Sequence, residues 1–583
     1  MGHSALAGVF LLSAVVAAPA FAQVDLSGEW SGRYHEDQEH RIPGPELGDY
    51  TGLPINDAGR LKADSWDASI LSLREHQAKP HPSTYSLRGP ANIRITKIFD
   101  PVTQDTIGFE LFGTFGQATR SIWLDGRPHP ADLAAHTWAG FSTGRWQGDT
   151  LTVTTTHLKV GWLQRNGVAH SDRATMTEHF MRHGDMLTVV TIVDDPVYLE
   201  EPFIRSSNWV LSLTQEVGRS QFDVVDEVAG HPKGYVPHHL PGSPGAQAKL
   251  TEFANKHRLP LDGVRGGAAT TYPEYQPKPA ASTFRPSLPP APNPSGADEI
   301  RLVPVQGNVH MLVGAGANIA VQIGDEGVLL ADTGARGTSD AVLAAIRRVT
   351  DKPIRILIDT SVDADHNGGN EEIAKVGRWL GGNAPGNFGL PVTAARVVAH
   401  ERVLGRMSAP TGKQPAMPFA AWPTETFFTG DKEIFFNNEA VQLLHQPAAH
   451  TDGDVVIFFR RSDVVVAGDV FSTVGYPVVD RARGGSVQGV IDGLNHIIDV
   501  TIPKDKEEGG TYVIPGHGRL SDEADVVEYR DMVTIVRDRI RDLIRRGLTL
   551  DQVKAARPTL DYDGRYGSAD AFIDAIYRDL TRG

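Results

Sequence analysis

The chain contains no cysteine. Disulfide bonds, thiolate metal ligands, lipidation of an N-terminal cysteine and a cysteine nucleophile are therefore all excluded. Positive charge is also scarce, because 56 Lys and Arg residues stand against 71 Asp and Glu residues, which leaves a net charge of −15. A chain of this charge has no general attraction for a phosphate backbone, so we do not expect nucleic acid as a partner.

Long hydrophobic runs are missing as well, apart from one near the start of the chain. That run extends from Ala5 to Ala18 and is short for a bilayer span, which needs about 20 apolar residues. It is followed by Ala20-Phe21-Ala22, a small-x-small pattern typical of signal-peptide cleavage. We therefore expect residues 1–22 to be a signal peptide, a periplasmic or secreted location, and no stable membrane insertion after cleavage.

At 583 residues the chain is too long for a single ordinary hydrophobic core. Residues 23–229 consist mostly of short alternating runs broken by Gly-Asp pairs, as in "GRWQGDTLTVTTTHL", which predicts hairpins and an antiparallel β domain of unknown role. Residues 230–298 are so rich in proline that we expect an interdomain linker with neither helix nor central strand. Residues 299–583 alternate strand-like and helix-like patterns and end in helices, so we predict an all-β domain followed by an α/β domain.

Ionisable residues of the C-terminal part follow strand-like runs and precede glycines. The run "PIRILID" ends just before "TSVDADHNGG", and the strand predicted in "TYVIPGHG" ends at His517. Side chains at strand ends can converge on one site, and carboxylates and imidazoles together bind divalent ions such as zinc, manganese or iron. The candidate ligands are Asp363, Asp365, His366, His450, Asp469 and His517.

The motif order "DTG", "DHNGG", "HTDGD", "GD", "PGHG" resembles the metallo-β-lactamase superfamily from roughly Ile300 to the C terminus. The resemblance implies an αβ/βα sandwich with a metal site at the sheet edge. The family motif HxHxDHxGG falls on residues 361–369, where Ser361 and Asp363 stand in place of two histidines. The implied ligands are Asp363 and His450 in the first site, Asp365, His366 and His517 in the second, and Asp469 as a bridge between them.

The resemblance implies an intact second site and a weaker first site, because Ser361 is a poor ligand. We therefore expect one or two divalent ions, zinc first, with manganese or iron as alternatives. A metal-bound hydroxide would then hydrolyse an ester, thioester, lactone or amide bond of a small-molecule substrate, with Asp365 as both ligand and catalytic proton acceptor. The alternative is a non-catalytic ligand-binding protein with a degenerate site. A retained set of supporting residues, with Asn370 and Asp454 as candidates, would favour the enzyme.

Overall fold

The structure is a computed structural model. It describes residues 24–33, 45–86, 92–113, 118–218, 224–225, 234–272, 299–378, 394–410, 416–428, 430–504 and 510–581. The predicted signal peptide, residues 1–22, lies outside these ranges, as does the stretch 273–298 of the predicted linker. None of the helices in the described ranges has the length and apolar character that crossing a membrane requires.

The N-terminal part forms a closed β barrel, which confirms the predicted β domain. Neighbouring strands are antiparallel except for one parallel pair, Arg120–Trp123 with Phe141–Gln147. The alternating pattern turns one set of side chains inward, where Trp30, Phe109, Leu151 and Phe180 belong to a buried core. In their order around the barrel the strands are β1 (Gly28–Arg33), β11 (Phe203–Ser212), β10 (Met186–Asp194), β9 (Thr175–His183), β6 (Thr150–Thr156), β5 (Phe141–Gln147), β4 (Arg120–Trp123), β3 (Thr106–Gly113) and β2 (Ile93–Phe99).

Short elements lie beside the barrel. β7 (Gly161–Gln164) pairs with β8 (Val168–His170) in a separate two-stranded sheet, and the helix Asp57–Ser65 packs against β8. Further helices here are Ser83–Ser86, Pro244–His257 and Leu261–Val264.

The expectation that residues 230–298 contain no helix is wrong at Pro244–His257. Pro244 stands in the first turn, where the missing N–H has no helical partner in any case, and Ser243 caps the helix by accepting a hydrogen bond from the Ala246 N–H. Leu250 and Phe253 then join the buried core beside the barrel. The proline-rich composition therefore led to a wrong prediction for this helix, because its proline lies in the first turn, where proline is tolerated.

The C-terminal part contains two sheets packed face to face, as the resemblance implies. Met311 and Ile356 of the first sheet lie in one buried cluster with Leu443 and Ile457 of the second. The first sheet has the order β12 (Arg301–Gln306), β13 (Val309–Val313), β14 (Ile319–Gly324), β15 (Gly327–Ala331), β16 (Ile354–Ile358), β17 (Arg396–His400), β18 (Glu425–Phe427). The second has the order β19 (Asp431–Phe436), β20 (Glu439–Gln446), β21 (Asp454–Phe459), β22 (Val464–Ser472), β23 (Tyr512–His517), β24 (Ser521–Asp522).

Helices cover the outer faces of both sheets and complete an αβ/βα sandwich. The apolar face of Ser339–Arg347 packs on the first sheet through Val342 and Ile346. The first sheet carries the helices Ser339–Arg347, Ala364–Asn367, Asn370–Val376 and Glu401–Met407. The second carries Val487–Val500, Glu523–Arg545, Leu550–Ala555, Leu560–Tyr566 and Asp570–Thr581.

Buried ion pairs join the barrel part to the C-terminal helices. Lys159 Nζ lies 2.7 Å from Asp522 Oδ1 and 2.9 Å from Asp525 Oδ2, with the lysine side chain 3% exposed. Arg565 Nε lies 3.1 Å from Asp172 Oδ1. Because each pair is removed from water, loss of one partner would leave an uncompensated charge, so these contacts hold the two parts in one orientation.

Candidate metal centre

The segment that follows β16 turns into the short helix Ala364–Asn367, which carries Asp365 and His366. Gly368 and Gly369 let this helix lie directly on the loop after β15, because a side chain at Gly368 would come within 2.4 Å of the Arg336 backbone nitrogen. The Thr333 N–H donates a hydrogen bond to the His366 carbonyl at 2.7 Å. The "DTG" and "DHNGG" motifs therefore hold each other in place through backbone contacts.

His366 is buried, and one of its two ring nitrogens is fixed by a carboxylate. Nδ1 lies 2.7 Å from Asp332 Oδ2, so it carries a proton and donates a hydrogen bond to Asp332. Thr360 holds the same carboxylate, with its N–H donating at 2.8 Å and its hydroxyl at 2.6 Å. The other nitrogen, Nε2, is buried and lies 3.1 Å from Asp469 Oδ1.

Asp469 stands at the centre of the candidate site because β22 is irregular there. Gly468 has φ +52°, and a side chain at this position would come within 2.8 Å of the Thr360 hydroxyl. The pairing register between β22 and β23 shifts on both sides of this glycine. The resulting bulge directs the Asp469 carboxylate to within 3.6 Å of His517 Nε2 and 3.7 Å of His450 Nε2.

One cluster of candidate ligand atoms, which all lie within 4.8 Å of one another, belongs to Asp365, His366 and His517. His517 Nε2 lies 3.3 Å from Asp365 Oδ2, and both side chains are partly exposed. The end of β23 is held by Asn318, whose amide donates to the Pro515 carbonyl at 2.9 Å. This arrangement matches the second site that the resemblance implies, with Asp469 beside it.

Asp363, His450 and Asp469 form the other cluster of candidate ligand atoms within 4.8 Å. His450 Nδ1 donates to the Val478 carbonyl at 2.7 Å, and His450 Nε2 lies 2.6 Å from Asp363 Oδ2. The Arg483 guanidinium pairs with the other oxygen of Asp363. The Asp363 carboxylate therefore faces the site, but protein groups already bind both of its oxygens.

Ser361 does not join either cluster of ligand atoms. Its side chain is buried, and its hydroxyl accepts a hydrogen bond from the Asp363 N–H at 3.4 Å. A serine in this position stabilises the turn that leads into the short helix.

Opposite charges hold the ionisable groups of the site away from their ordinary pKa values. Burial opposes the shift at Asp469, but the neighbouring His366 and His517 keep the pKa of its carboxyl well below the usual range. Hydrogen bonds that His517 donates to the Asp365 and Asp469 carboxylates raise its pKa to about 9. Burial works against His450, yet its bond to Asp363 raises the pKa to about 10. A divalent ion would replace the protons that these imidazoles otherwise hold.

Both residues expected to support the site are placed behind it. The Asp454 carboxylate accepts hydrogen bonds from the Thr451 N–H and hydroxyl, each at 2.7 Å, which fixes the turn next to His450. Burial raises the pKa of Asp454 to about 7. The Asn370 amide donates to both oxygens of Asp359 at 3.0 Å. Asp454 thus supports the turn that carries a candidate ligand, whereas Asn370 holds Asp359, which is not one of the six candidates.

Sequence reasoning brought the six candidate ligands to one place but missed three residues that organise them. Asp332 was part of a matched motif without a role, and Thr360 and Arg483 were not singled out. The glycines at 484 and 485 are the signal that points to Arg483, because paired glycines after an arginine permit a close backbone approach.

We expect Asp332→Asn to weaken zinc binding by about 10-fold to 100-fold, because the neutral amide no longer orients and polarises His366 through its Nδ1 proton. Asparagine keeps the shape of the side chain and tolerates the φ of +70° at this position. Competition with a chromophoric chelator measures the affinity.

Asp463→Asn is the matched control, since Asp463 also has a positive φ of +53° and accepts its hydrogen bond from Thr511, not from a candidate ligand. Equal affinities of the Asp332→Asn variant and the control would show that Asp332 does not tune the site.

Comparison with known proteins finds a family match in the C-terminal part of the chain. Residues 312–527 match the family model of the metallo-beta-lactamase superfamily. A linear primary-alkylsulfatase from a Pseudomonas species is 23% identical over 257 residues, which cover 39% of this chain and 47% of that protein. The chain thus spans about half the length of this curated relative.

Two solved structures are among those to which this chain is similar. A stereoselective inverting sec-alkylsulfatase from Pseudomonas sp. has 17% identity and a TM-score of 0.37, covering 48% of this chain and 50% of that one. A metallo-beta-lactamase from Pontibacter korlensis has 14% identity and a TM-score of 0.31, covering 40% of this chain and 99% of that one. Residues 312–527, which match the family model and carry the site motifs in order, are the region of the chain that belongs to the metallo-β-lactamase superfamily.

Proposed function

We propose that the protein is a metal-dependent hydrolase that cleaves an ester bond in a small molecule. The observation that carries the proposal is the convergence of candidate ligand atoms: those of Asp365, His366 and His517 all lie within 4.8 Å of one another, and Asp469 Oδ1 lies 3.1 Å from the buried His366 Nε2. Imidazoles and carboxylates brought together in this way are the ligands that a divalent metal ion prefers. A divalent cation would bind the imidazoles and balance the carboxylates around them.

The donor set fits such an ion. His366, His517, Asp365 and Asp469 offer two imidazoles and two carboxylates, a mixture suited to zinc and also acceptable to manganese or iron. When bound, the ion supplies Lewis acidity and lowers the pKa of a water molecule.

The protein's own residues would complete the chemistry. Asp332 orients His366, while the partly exposed Asp365 carboxylate lies where it can accept a proton from a reacting water. We assign the barrel part no role in the reaction. Periplasmic or secreted location stays a proposal that rests on residues 1–22 alone.

The alkylsulfatases among the similar proteins make sulfate esters the first compounds to test. Carboxylic esters, a thioester, a lactone and an amide complete the panel, because members of one fold catalyse different reactions. We expect at least one of the esters to be hydrolysed.

The test measures hydrolysis of this panel by the full chain, purified without chelator, before and after removal of metal with dipicolinate. We expect removal to lower the rate at least about 100-fold and zinc, manganese or iron to restore it, since the ion supplies several kcal/mol of transition-state stabilisation. Metal content is measured on the same samples.

His183→Ala is the control, because His183 is exposed at the end of a barrel strand. It should keep both metal and rate, whereas Asp365→Ala should lose both. Bound metal together with tight ligand binding but no turnover of any panel member would contradict the hydrolase and favour the non-catalytic binding protein. Absence of bound metal after incubation with all three ions would contradict both the metal centre and the mechanism.

A further inference from the structure

Arg483 lies beside Asp363, which together with His450 matches ligands of the family's first metal ion. Its guanidinium pairs with Asp363 Oδ1, while His450 Nε2 lies 2.6 Å from Asp363 Oδ2. The remaining nitrogen of His450 is bound to the Val478 carbonyl at 2.7 Å. The groups of this cluster that would bind an ion are therefore already bound to each other.

The loop that carries Arg483 is built onto the turn that carries His450. The Asp480 N–H donates to the His450 carbonyl at 2.9 Å, and the Asp452 N–H donates to the Arg483 carbonyl at 2.9 Å. On its far side the guanidinium is held by Asp480, whose Oδ2 lies 3.3 Å from Arg483 Nε. The Arg483 N–H also donates to Asp480 Oδ1 at 3.0 Å, so both ends of the residue are fixed.

Two glycines are needed for this close approach. Gly484 has φ +87°, a conformation that residues with a side chain rarely adopt. A side chain at Gly485 would come within 2.1 Å of the His450 carbonyl oxygen. Any larger residue would push the loop away from His450 and withdraw Arg483 from Asp363.

The two clusters therefore differ in the partners of their carboxylates. Among the described residues, the ion pairs of Asp365 and Asp469 are with candidate ligand histidines alone, whereas Asp363 is also paired with the Arg483 guanidinium. A dication in the Asp363 cluster would have to break the Arg483 ion pair and would then lie beside a guanidinium of like charge.

We propose that Arg483 takes the place of the first metal ion, so that the protein binds a single divalent ion at Asp365, His366, Asp469 and His517. The inference rests on the proposed function for the presence of that ion. Asp363 is then a positioning residue that links Arg483 to His450. The second positive charge of the site is a fixed guanidinium that no chelator can remove.

The experiment counts bound zinc in the full chain. Each variant is dialysed to equilibrium against the same zinc buffer, and zinc per chain is measured by plasma mass spectrometry. We expect one zinc ion in the wild type and two in Arg483→Gln, because the neutral side chain frees Asp363 and His450. Arg483→Lys keeps the charge and should bind one. Arg481→Gln is the matched control, since Arg481 pairs with Asp579 outside the site, and it should also bind one.

Each outcome decides a different point. Two ions in the wild type, or one in both wild type and Arg483→Gln, would overturn the role of Arg483 and leave the proposed function standing. No ion in the wild type would overturn both. If Arg483→Gln does not fold, anomalous scattering from zinc in crystals of the wild type makes the same decision. A single peak at His366 and His517 supports the inference, and a second peak at Asp363 and His450 contradicts it.

Discussion

We expect the Asp469→Ala variant to lose the bound divalent ion and to hydrolyse its substrate at least about 10³-fold more slowly. This is the largest functional effect that we expect of a single substitution. Asp469 is the residue that contacts both clusters, with Oδ1 3.1 Å from His366 Nε2 and Oδ2 3.7 Å from His450 Nε2. Without it, three imidazoles face one another with fewer carboxylates to balance either an ion or their own protons. Zinc content and hydrolysis rate of the full chain measure the effect.

Asp492→Ala is the control, because Asp492 is exposed on a helix of the same part of the chain. It should retain the ion and the rate. Circular dichroism of both variants separates a lost site from a lost fold. Retention of one tightly bound ion by folded Asp469→Ala would contradict the place that we give to Asp469.

Asp172→Ala should lower the free energy of unfolding by about 3–5 kcal/mol, the range typical of breaking one partner of a buried ion pair. Asp172 accepts hydrogen bonds from Arg565 at 3.1 and 3.4 Å, and Arg519 lies 3.5 Å away. The substitution leaves two buried guanidinium groups short of a counter-charge where the barrel part meets the C-terminal helices. Guanidinium chloride titration followed by circular dichroism measures the loss.

The effect of Asp172 should also depend on pH. Burial alone would raise the pKa of this carboxyl, but Arg565 and Arg519 hold it well below its usual range. A lowered pKa in the folded state means that the stabilisation is present above the unfolded value of about 4 and is lost as the pH falls below it. The difference between wild type and Asp172→Ala should therefore shrink in acid.

Glu252→Ala provides the comparison, because Glu252 is exposed on a helix of the same part of the chain and alanine favours a helix. Its unfolding free energy should stay within about 0.5 kcal/mol of the wild type at every pH. An Asp172→Ala variant as stable as Glu252→Ala at neutral pH would show that the buried pair does not hold the two parts together.

Local pattern was sufficient for the strands and for the order of the site motifs. β16 was predicted from alternating apolar residues and β23 from a short strand-like run, and the structure has them at Ile354–Ile358 and Tyr512–His517. Periodicity reports on a residue's near neighbours, so it works for elements whose stability is decided within one run. It failed at Pro244–His257, where composition outweighed the capping serine and the buried Leu250 and Phe253.

The sequence by itself determined the αβ/βα fold of the C-terminal part, the β character of the N-terminal part and the residues that reach the candidate centre. Only the tertiary structure decided how those residues are used. Asp332 meets His366 across 34 positions, and Arg483 meets Asp363 across 120. Folding alone brings such distant charges within hydrogen-bond range, and the electrostatic state of a site depends on every charge around it, because the Coulomb interaction acts through space and not along the chain.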